Sequence, residues 1–171
     1  MGERIILIGF MGAGKTSVGQ AIAGITGAPF LDTDQMIEAA AGKSISRIFE
    51  EDGEEAFRRT ETEVITGLLS GSGDAVISTG GGLPMREENR QALRKMGRVV
   101  YLKVRPETVL ERLKGDTTRP LLAGGDAAAR VRKLLEFRDP VYRQAAHEIV
   151  DADGRTPGEI AGQIAGKHIF P

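Results

Sequence analysis

Residues 4–16 of the chain read Arg4-Ile5-Ile6-Leu7-Ile8-Gly9-Phe10-Met11-Gly12-Ala13-Gly14-Lys15-Thr16. The first half is an unbroken apolar run, rich in β-branched residues and stopped by a glycine, which is typical of a strand buried on both faces. The second half, residues 9–16, matches the pattern G-x-x-x-x-G-K-[ST]. Apolar residues then recur at helical spacing, as Val18, Ala21, Ile22 and Ile25. A strand, a glycine-rich loop and a helix in this order predict a phosphate site in an α/β fold.

The glycine-rich loop at residues 9–16, called the phosphate loop below, suits nucleotide chemistry for physical reasons. Its glycines let the backbone turn tightly, so that consecutive N–H groups point at phosphate oxygens, and the following helix adds the positive end of its dipole. Lys15 is placed to reach the β and γ phosphates, and the Thr16 hydroxyl to ligate Mg²⁺. A dinucleotide-binding turn is the nearest alternative, but Ser17 stands where that pattern requires its third glycine.

The rest of the chain continues the alternation of strands and helices. Four further short apolar runs predict strands at residues 29–32, 75–79, 98–104 and 148–151. Five strands that alternate with helical segments predict a single three-layer α/β/α domain over residues 1–171, with a mostly parallel sheet covered on both faces. Residues 115–126 have no apolar period and contain glycines and a proline, so we expect a mobile loop that acts as a lid.

Composition excludes several classes of function. The 171 residues include 23 Lys and Arg against 24 Asp and Glu, a net charge of −1, which argues against binding nucleic acid or an anionic membrane. Because the chain has no cysteine, disulfides, thiolate nucleophiles and zinc ribbons are excluded. The apolar run near the start is far shorter than the roughly 18 residues that cross a bilayer, so we expect a cytoplasmic protein. For the oligomeric state, a monomer is the expectation.

Two further groups of residues follow predicted strands, at the sheet edge where open α/β folds bind ligands. Asp32 and Asp34 close the second strand at alternate positions, and we expect Asp32 to hold Mg²⁺ and Asp34 to meet an attacking hydroxyl. Helix capping by Asp34 is the alternative. Gly80, Gly81 and Gly82, called the triple glycine below, follow the third strand and let a ligand approach the backbone.

Three arginines are candidates for contacts with anions. Arg119 lies on the expected lid, from which it could fold over a γ phosphate. Spacing alone favours a surface pair with Glu61 for Arg58, and a solvated helix-face charge for Arg138. The sequence contains no Asn-Lys-x-Asp segment that reads guanine. This leaves ATP-dependent phosphoryl transfer to a small acceptor.

Taken together, these motifs resemble the shikimate kinase family nearly end to end. Besides the phosphate loop and Asp32-Thr33-Asp34, the resemblance is carried, in family order, by Phe57-Arg58-Arg59 with Glu61, the triple glycine, Arg119-Pro120-Leu121-Leu122 and Arg138-Asp139-Pro140-Val141-Tyr142. It implies a P-loop kinase fold with strand order 2-3-1-4-5 and an acceptor-binding helical region at residues 34–70. It also implies an enzyme of aromatic amino-acid biosynthesis that transfers the γ-phosphoryl group of ATP to the 3-hydroxyl of shikimate, with one Mg²⁺ per active site.

The resemblance also assigns roles to individual residues. Arg58 and Arg138 would clamp the shikimate carboxylate, supported by Glu61, which reverses the interpretation from spacing; forked guanidinium groups suit a carboxylate. Asp34 and the triple glycine would hold the ring hydroxyls. The metal would be held by Thr16 and Asp32, and the nucleotide would contact Gly12, Ala13, Gly14, Lys15, Thr16, Ser17, Arg112, Arg119, Arg155 and Pro157.

Phosphoryl transfer would depend on three of these residues. Lys15 and Arg119 would neutralise charge on the transferring group together with Mg²⁺, and Asp34 would orient the acceptor hydroxyl. Two alternatives remain. One is another small-acceptor kinase of the same group, such as a gluconate kinase, which does not need two arginines for one carboxylate. The other is a non-catalytic ATP-binding regulator, for which the sequence has no positive feature.

Overall fold

The computed structural model describes residues 2–114 and 126–166. Its strands are β1 (Arg4–Ile8), β2 (Phe30–Asp32), β3 (Ala75–Ser78), β4 (Arg98–Lys103) and β5 (Glu148–Asp151). They form a central five-stranded sheet in the order β2-β3-β1-β4-β5, in which every pair of neighbouring strands is parallel. The predicted strands, the parallel sheet and the strand order are therefore confirmed.

Helices cover both faces of this sheet. They are α1 (Lys15–Thr26), α2 (Thr33–Ala41), α3 (Ile45–Glu51), α4 (Glu54–Leu69), α5 (Glu87–Met96), α6 (Pro106–Arg112), α7 (Ala127–Ala145) and α8 (Pro157–Gly166). Helix α1 packs against α8, whereas α5 packs against α4 and α7. A short 3₁₀ helix at Leu83–Met85, which the sequence pattern did not predict, follows the triple glycine. None of the helices within the described ranges is long and apolar enough to cross a membrane.

The three central strands are apolar because helices cover both of their faces. All four residues of β3 are buried, as are four of the five in β1 and the four inner residues of β4. The edge strand β5 is instead mostly exposed or half-buried. Burial of these apolar side chains is the main force that stabilises the sheet.

The strand order places the phosphate loop beside the triple glycine. Strand β1 pairs with β3, with Leu7 opposite Ser78. Just beyond β3, the backbone N–H and the hydroxyl of Thr79 both donate to the Leu7 carbonyl, at 3.2 and 3.0 Å. The chain leaves β1 for α1 and leaves β3 for α5, on opposite faces of the sheet, so the two loops diverge and leave a crevice between them. The predicted ligand sites lie along this crevice.

Two local predictions need correction or restriction. Helix α2 is capped by Asp32 and not by Asp34, because Asp32 Oδ1 accepts hydrogen bonds from the N–H groups of Asp34 and Gln35, at 2.9 and 3.3 Å. Asp34 therefore belongs to the first turn of the helix instead of extending the strand. The predicted lid at residues 115–126 falls outside the described ranges except for Asp126, which caps α7 by accepting from Ala129 N–H at 3.1 Å.

Two glycines of α1 give a matched test of how closely this helix packs on the sheet. A Cβ at Gly19 would lie 2.5 Å from Phe30 Cε2 and 3.4 Å from Leu7 Cδ1, whereas a Cβ at Gly24 would meet nothing within 4 Å. We expect Gly19→Ala to lower the free energy of unfolding by about 1–3 kcal/mol through overpacking. Gly24→Ala should raise it by up to about 1 kcal/mol, because alanine favours the helix. Urea unfolding measures both, and equal effects would contradict close packing at Gly19.

Candidate active site

Two adjoining cavities open at the carboxyl edge of the sheet. The phosphate cavity has a volume of about 200 Å³ and is lined by Met11, Gly12, Gly14, Lys15, Thr16, Asp32, Asp34, Ser78, Thr79, Gly80 and Gly81. The acceptor cleft has a volume of about 340 Å³ and is lined by Met11, Asp34, Ile45, Phe49, Glu54, Phe57, Arg58, Glu61, the triple glycine and Arg138. Among the residues in 2–114 and 126–166, Asp34 is the only ionisable one that lines both. A group bound in the cleft therefore meets a group bound in the phosphate cavity beside its carboxylate.

The phosphate loop has the backbone geometry that anion binding requires. Gly12 and Gly14 have φ values of 79° and 91°, in the left-handed region that favours glycine. Gly14 precedes α1 without any side-chain cap, so a bound phosphate can take the place of a cap at this helix start. Lys15 is 9% exposed, and its ammonium group donates to the carbonyls of Gly9 and Phe10 at 2.7 and 3.0 Å. These bonds hold the Lys15 side chain against the phosphate loop, where it is predicted to contact the phosphates of a nucleotide.

The predicted metal ligands share the phosphate cavity. Thr16 and Asp32 both line it, and hydroxyl and carboxylate oxygens are ligands that Mg²⁺ accepts. Asp32 Oδ1 is occupied by the helix cap, which leaves Oδ2 for a metal or its waters. No group of three or more His, Cys, Asp or Glu residues that could hold a metal occurs in the described ranges. The donors therefore fit an ion whose shell is completed by phosphate oxygens and water.

The triple glycine is packed against four charged side chains. A Cβ at Gly80 would lie 2.7 Å from Asp34 Oδ1 and 3.1 Å from Glu61 Oε2. At Gly81 it would lie 3.2 Å from Arg138 Nη1, and at Gly82 it would lie 2.5 Å from Arg58 Nη1. None of the three glycines has a positive φ. Glycine is therefore needed here for space and not for an unusual backbone conformation.

Arg58 and Glu61 form the i,i+3 pair that spacing predicts, but the pair is not on the surface. Arg58 Nη1 donates to Glu61 Oε1 at 2.7 Å, and the Glu61 side chain is 1% exposed. Burial raises the pKa of Glu61, the nearby Asp34 raises it further, and Arg58 opposes the rise. Glu61 thus orients the guanidinium group of Arg58 at an electrostatic cost.

Arg138 is buried without a carboxylate. The residue is 6% exposed, and its guanidinium carbon lies 5.6 Å from the centre of the Phe10 ring. It forms no ion pair with any residue in 2–114 or 126–166. Arg138 interacts with the Tyr142 hydroxyl and, over a longer range, with the buried Glu61, whose pKa it lowers. Glu61 is paired directly with Arg58. Because Arg58 and Arg138 both line the acceptor cleft, an anionic ligand bound there would give Arg138 a direct partner of opposite charge.

Several residues at or beside the site received no role in the sequence analysis, although Thr33, Phe57 and Tyr142 stand in the motifs that carry the resemblance. One wall of the cleft is apolar and includes Phe49 and Phe57, whose ring centroids lie 4.9 Å apart. Two buried hydroxyls hold the triple glycine: Thr33 Oγ1 accepts from Gly80 N–H at 3.1 Å, and the Tyr142 hydroxyl donates to the Gly81 carbonyl at 2.6 Å. Tyr142 was detectable, because it follows Arg138 by four residues on one helix and so shares its face.

The structure brings most of the predicted site residues together. Of the predicted nucleotide contacts outside the phosphate cavity, Arg112 donates to the Gly12 carbonyl at 2.9 Å. Ser17 is exposed, and Arg155 donates to the Asp151 carbonyl at 3.4 Å. Ala13, Ser17, Arg155 and Pro157 line neither cavity, and Arg119 is not among the described residues.

Known proteins resemble this chain over almost its whole length. The shikimate kinase family matches residues 11–167. A shikimate kinase of Symbiobacterium thermophilum is 45% identical over 165 residues, which cover 95% of this chain and 94% of the relative. The solved structure of the Acinetobacter baumannii shikimate kinase in complex with shikimate superposes with a TM-score of 0.92 at 38% identity, covering 99% of this chain and 97% of that one. A gluconokinase of Sinorhizobium meliloti, with a TM-score of 0.62 at 21% identity and coverage of 96% and 94%, shares the fold.

Replacing Glu61 tests the cost of its burial. A raised pKa in the folded state means that the contribution of this group to stability is complete below its unfolded pKa, near pH 4, and is lost as the pH rises through the folded value. The stability of Glu61→Gln relative to the unsubstituted protein should therefore increase between pH 4 and pH 8. Urea unfolding at several pH values measures this difference.

The exposed Glu63 on the same helix provides the control. Glu63→Gln removes a carboxylate from the solvent-exposed face of α4 and so controls for the loss of one negative charge from this helix. A relative stability of Glu61→Gln that falls as the pH rises would contradict the account of the buried carboxylate.

Proposed function

The chain belongs to the shikimate kinase family, and on that premise we propose how its two cavities divide the reaction. The family's reaction is ATP-dependent transfer of a phosphoryl group to a hydroxyl of shikimate, in aromatic amino-acid biosynthesis. The phosphate cavity takes the phosphates of ATP, and the acceptor cleft takes shikimate. The observation that carries this division is the buried guanidinium group of Arg138, which faces the cleft with no carboxylate from the described chain.

The acceptor cleft suits a small hydroxylated carboxylic acid. Arg58 and Arg138 line it together, and two guanidinium groups can grip one carboxylate through several charge-assisted hydrogen bonds. The apolar wall of Phe49 and Phe57 supports a carbon ring. The backbone of the triple glycine and the Asp34 carboxylate provide hydrogen-bonding groups for ring hydroxyls. A gluconate kinase or a non-catalytic regulator has no comparable need for this combination.

Asp34 stands where the two substrates meet. In the proposed step, the 3-hydroxyl oxygen of shikimate bonds to the γ phosphorus of ATP, and the bond from that phosphorus to the β,γ-bridging oxygen breaks, so that ADP leaves. Asp34 orients the attacking hydroxyl and accepts its proton. Lys15 neutralises charge on the phosphates, and Arg119, from the lid proposed at residues 115–126, closes over the transferring group.

Mg²⁺ would be held by Thr16 and Asp32, and its charge would lower the repulsion between the phosphates and the acceptor oxygen. Arg112, which bonds to the phosphate loop, lies on the adenine side of the site in this proposal, together with Arg155 and Pro157. The protein works as a cytoplasmic monomer of one domain, residues 1–171, with residues 34–70 as the acceptor-binding region. Its partners are shikimate and ATP, with no nucleic acid or membrane.

A panel of acceptors tests the proposed function. Release of ADP from Mg-ATP is measured with shikimate, gluconate, nucleoside monophosphates or no acceptor. We expect stimulation by shikimate alone, because only a carboxylate with ring hydroxyls engages both arginines and Asp34. Stimulation by gluconate or by a nucleotide would overturn the arginine assignments, and binding of ATP without stimulation by any acceptor would support the regulator.

Substitutions of two adjacent arginines on α4 distinguish the loss of a contact with shikimate from the loss of one positive charge. Arg58 lines the acceptor cleft, whereas Arg59 is exposed and lines neither cavity. Arg58→Ala should raise the KM for shikimate by about tenfold or more, since charge-assisted hydrogen bonds contribute about 1.5–3 kcal/mol. Arg59→Ala should leave it nearly unchanged, and both variants should keep the KM for ATP. Equal effects on the KM for shikimate would contradict the clamp.

Asp34→Asn tests the step itself. The amide keeps the size of the side chain but cannot accept a proton, so we expect kcat to fall by about 100-fold or more. Binding of ATP, followed by titration calorimetry, should be retained because the phosphate loop is unaltered. A variant with near-normal kcat would rule out a role for Asp34 in proton transfer.

A further inference from the structure

We propose that Tyr142 is a positioning residue for the acceptor, holding the triple glycine in register with Arg138 on helix α7. The inference rests on the proposed function, because it takes the acceptor cleft as the shikimate site. Tyr142 itself does not line the cleft, so it acts through the Gly81 backbone and through its contact with the Arg138 side chain, and not by touching the substrate.

The bond between Tyr142 and Gly81 joins a fully buried side chain to a half-buried backbone. The Tyr142 hydroxyl donates to the Gly81 carbonyl at 2.6 Å, and Tyr142 has no exposed surface, whereas Gly81 is half-buried. Burial raises the pKa of Tyr142 to about 12, so the hydroxyl keeps its proton at neutral pH and remains a donor. Loss of the hydroxyl would leave the Gly81 carbonyl without this donor.

This bond fixes the orientation of the peptide group between Gly81 and Gly82, which both line the acceptor cleft. The described chain contains no cis peptide bond, and in a trans peptide the C=O and the following N–H point in opposite directions. Anchoring the Gly81 carbonyl on Tyr142 therefore also fixes the direction of the Gly82 N–H. Because glycine has the most conformational freedom of any residue, three glycines in a row depend on such outside anchors for a defined geometry.

The anchor belongs to the same helix as the carboxylate-binding arginine. Arg138 precedes Tyr142 by four residues, and its Nη1 would lie 3.2 Å from a Cβ on Gly81. On the other side, Thr33 of α2 accepts a hydrogen bond from Gly80 N–H, next to Asp34. The triple glycine is thus held between the helix that carries Arg138 and the helix that carries Asp34. This arrangement sets the distance between the carboxylate grip and the hydroxyl that reacts.

Tyr101 provides a matched control. Its ring packs on that of Tyr142 with centroids 4.9 Å apart, and it is 1% exposed. Its hydroxyl donates to Asp139 Oδ1 at 2.7 Å, and Asp139 does not line the acceptor cleft. Tyr101→Phe and Tyr142→Phe thus each remove one buried hydroxyl from the same ring pair, but only the second releases the triple glycine.

The experiment compares kcat and KM for both substrates in the full-length protein and the two variants, with thermal unfolding as a measure of folding. Tyr142→Phe should raise the KM for shikimate by about three- to tenfold, the equivalent of one net hydrogen bond, while the KM for ATP stays within about twofold. Tyr101→Phe should leave the KM for shikimate within about twofold of the unsubstituted value, even if it lowers the Tm by as much as Tyr142→Phe does.

Three results are distinguishable. A rise in the KM for shikimate confined to Tyr142→Phe supports the positioning role. An unchanged KM in Tyr142→Phe, or the same rise in both variants, overturns it, because the hydroxyl would then matter only for packing. Absence of shikimate turnover in the unsubstituted protein would overturn the proposed function itself.

Discussion

The acceptor cleft depends on close approach between the triple glycine and charged side chains from three helices. A Cβ atom added at residue 80, 81 or 82 would lie only 2.5–3.2 Å from a charged side chain. The side chains concerned are those of Asp34, Glu61, Arg138 and Arg58. Contacts between a Cβ and another heavy atom at such distances force one of them to move. The missing side chains therefore allow two arginines and two carboxylates to converge at the end of one strand, directly beside the phosphate loop.

This convergence places charge in the interior, which is unfavourable for folding. Glu61 is ionised only against the effect of its burial, and Arg138 has no carboxylate partner within the described ranges. The apolar sheet below the site stabilises the fold enough to tolerate both. In the proposed function, a substrate carboxylate in the cleft would form charge-assisted hydrogen bonds with both arginines and so add favourable electrostatic energy at this site.

The sequence predicts what is local and misses what the tertiary structure creates. The strands and the phosphate loop follow from short patterns, because a strand buried on both faces must be apolar and the anion loop needs glycine at fixed places. Spacing alone predicted surface positions for Arg58 and Arg138, because the burial of a charge depends on which helices the sheet brings together. Only the family resemblance predicted that both arginines belong to one binding site. Helix capping by Asp34 was the alternative prediction, but α2 begins at Thr33, directly after the predicted end of the strand, so Asp32 is the cap.

The most direct test of the carboxylate grip is to remove the charge from the substrate. Turnover of shikimate is compared with that of its methyl ester in the unsubstituted protein and in Arg138→Gln. We expect the ester to show a KM higher by about tenfold or more in the unsubstituted protein. The preference for the acid should become smaller in the variant, in which Arg58 alone still meets the carboxylate. Equal KM values for acid and ester in the unsubstituted protein, or an undiminished preference for the acid in Arg138→Gln, would contradict the account.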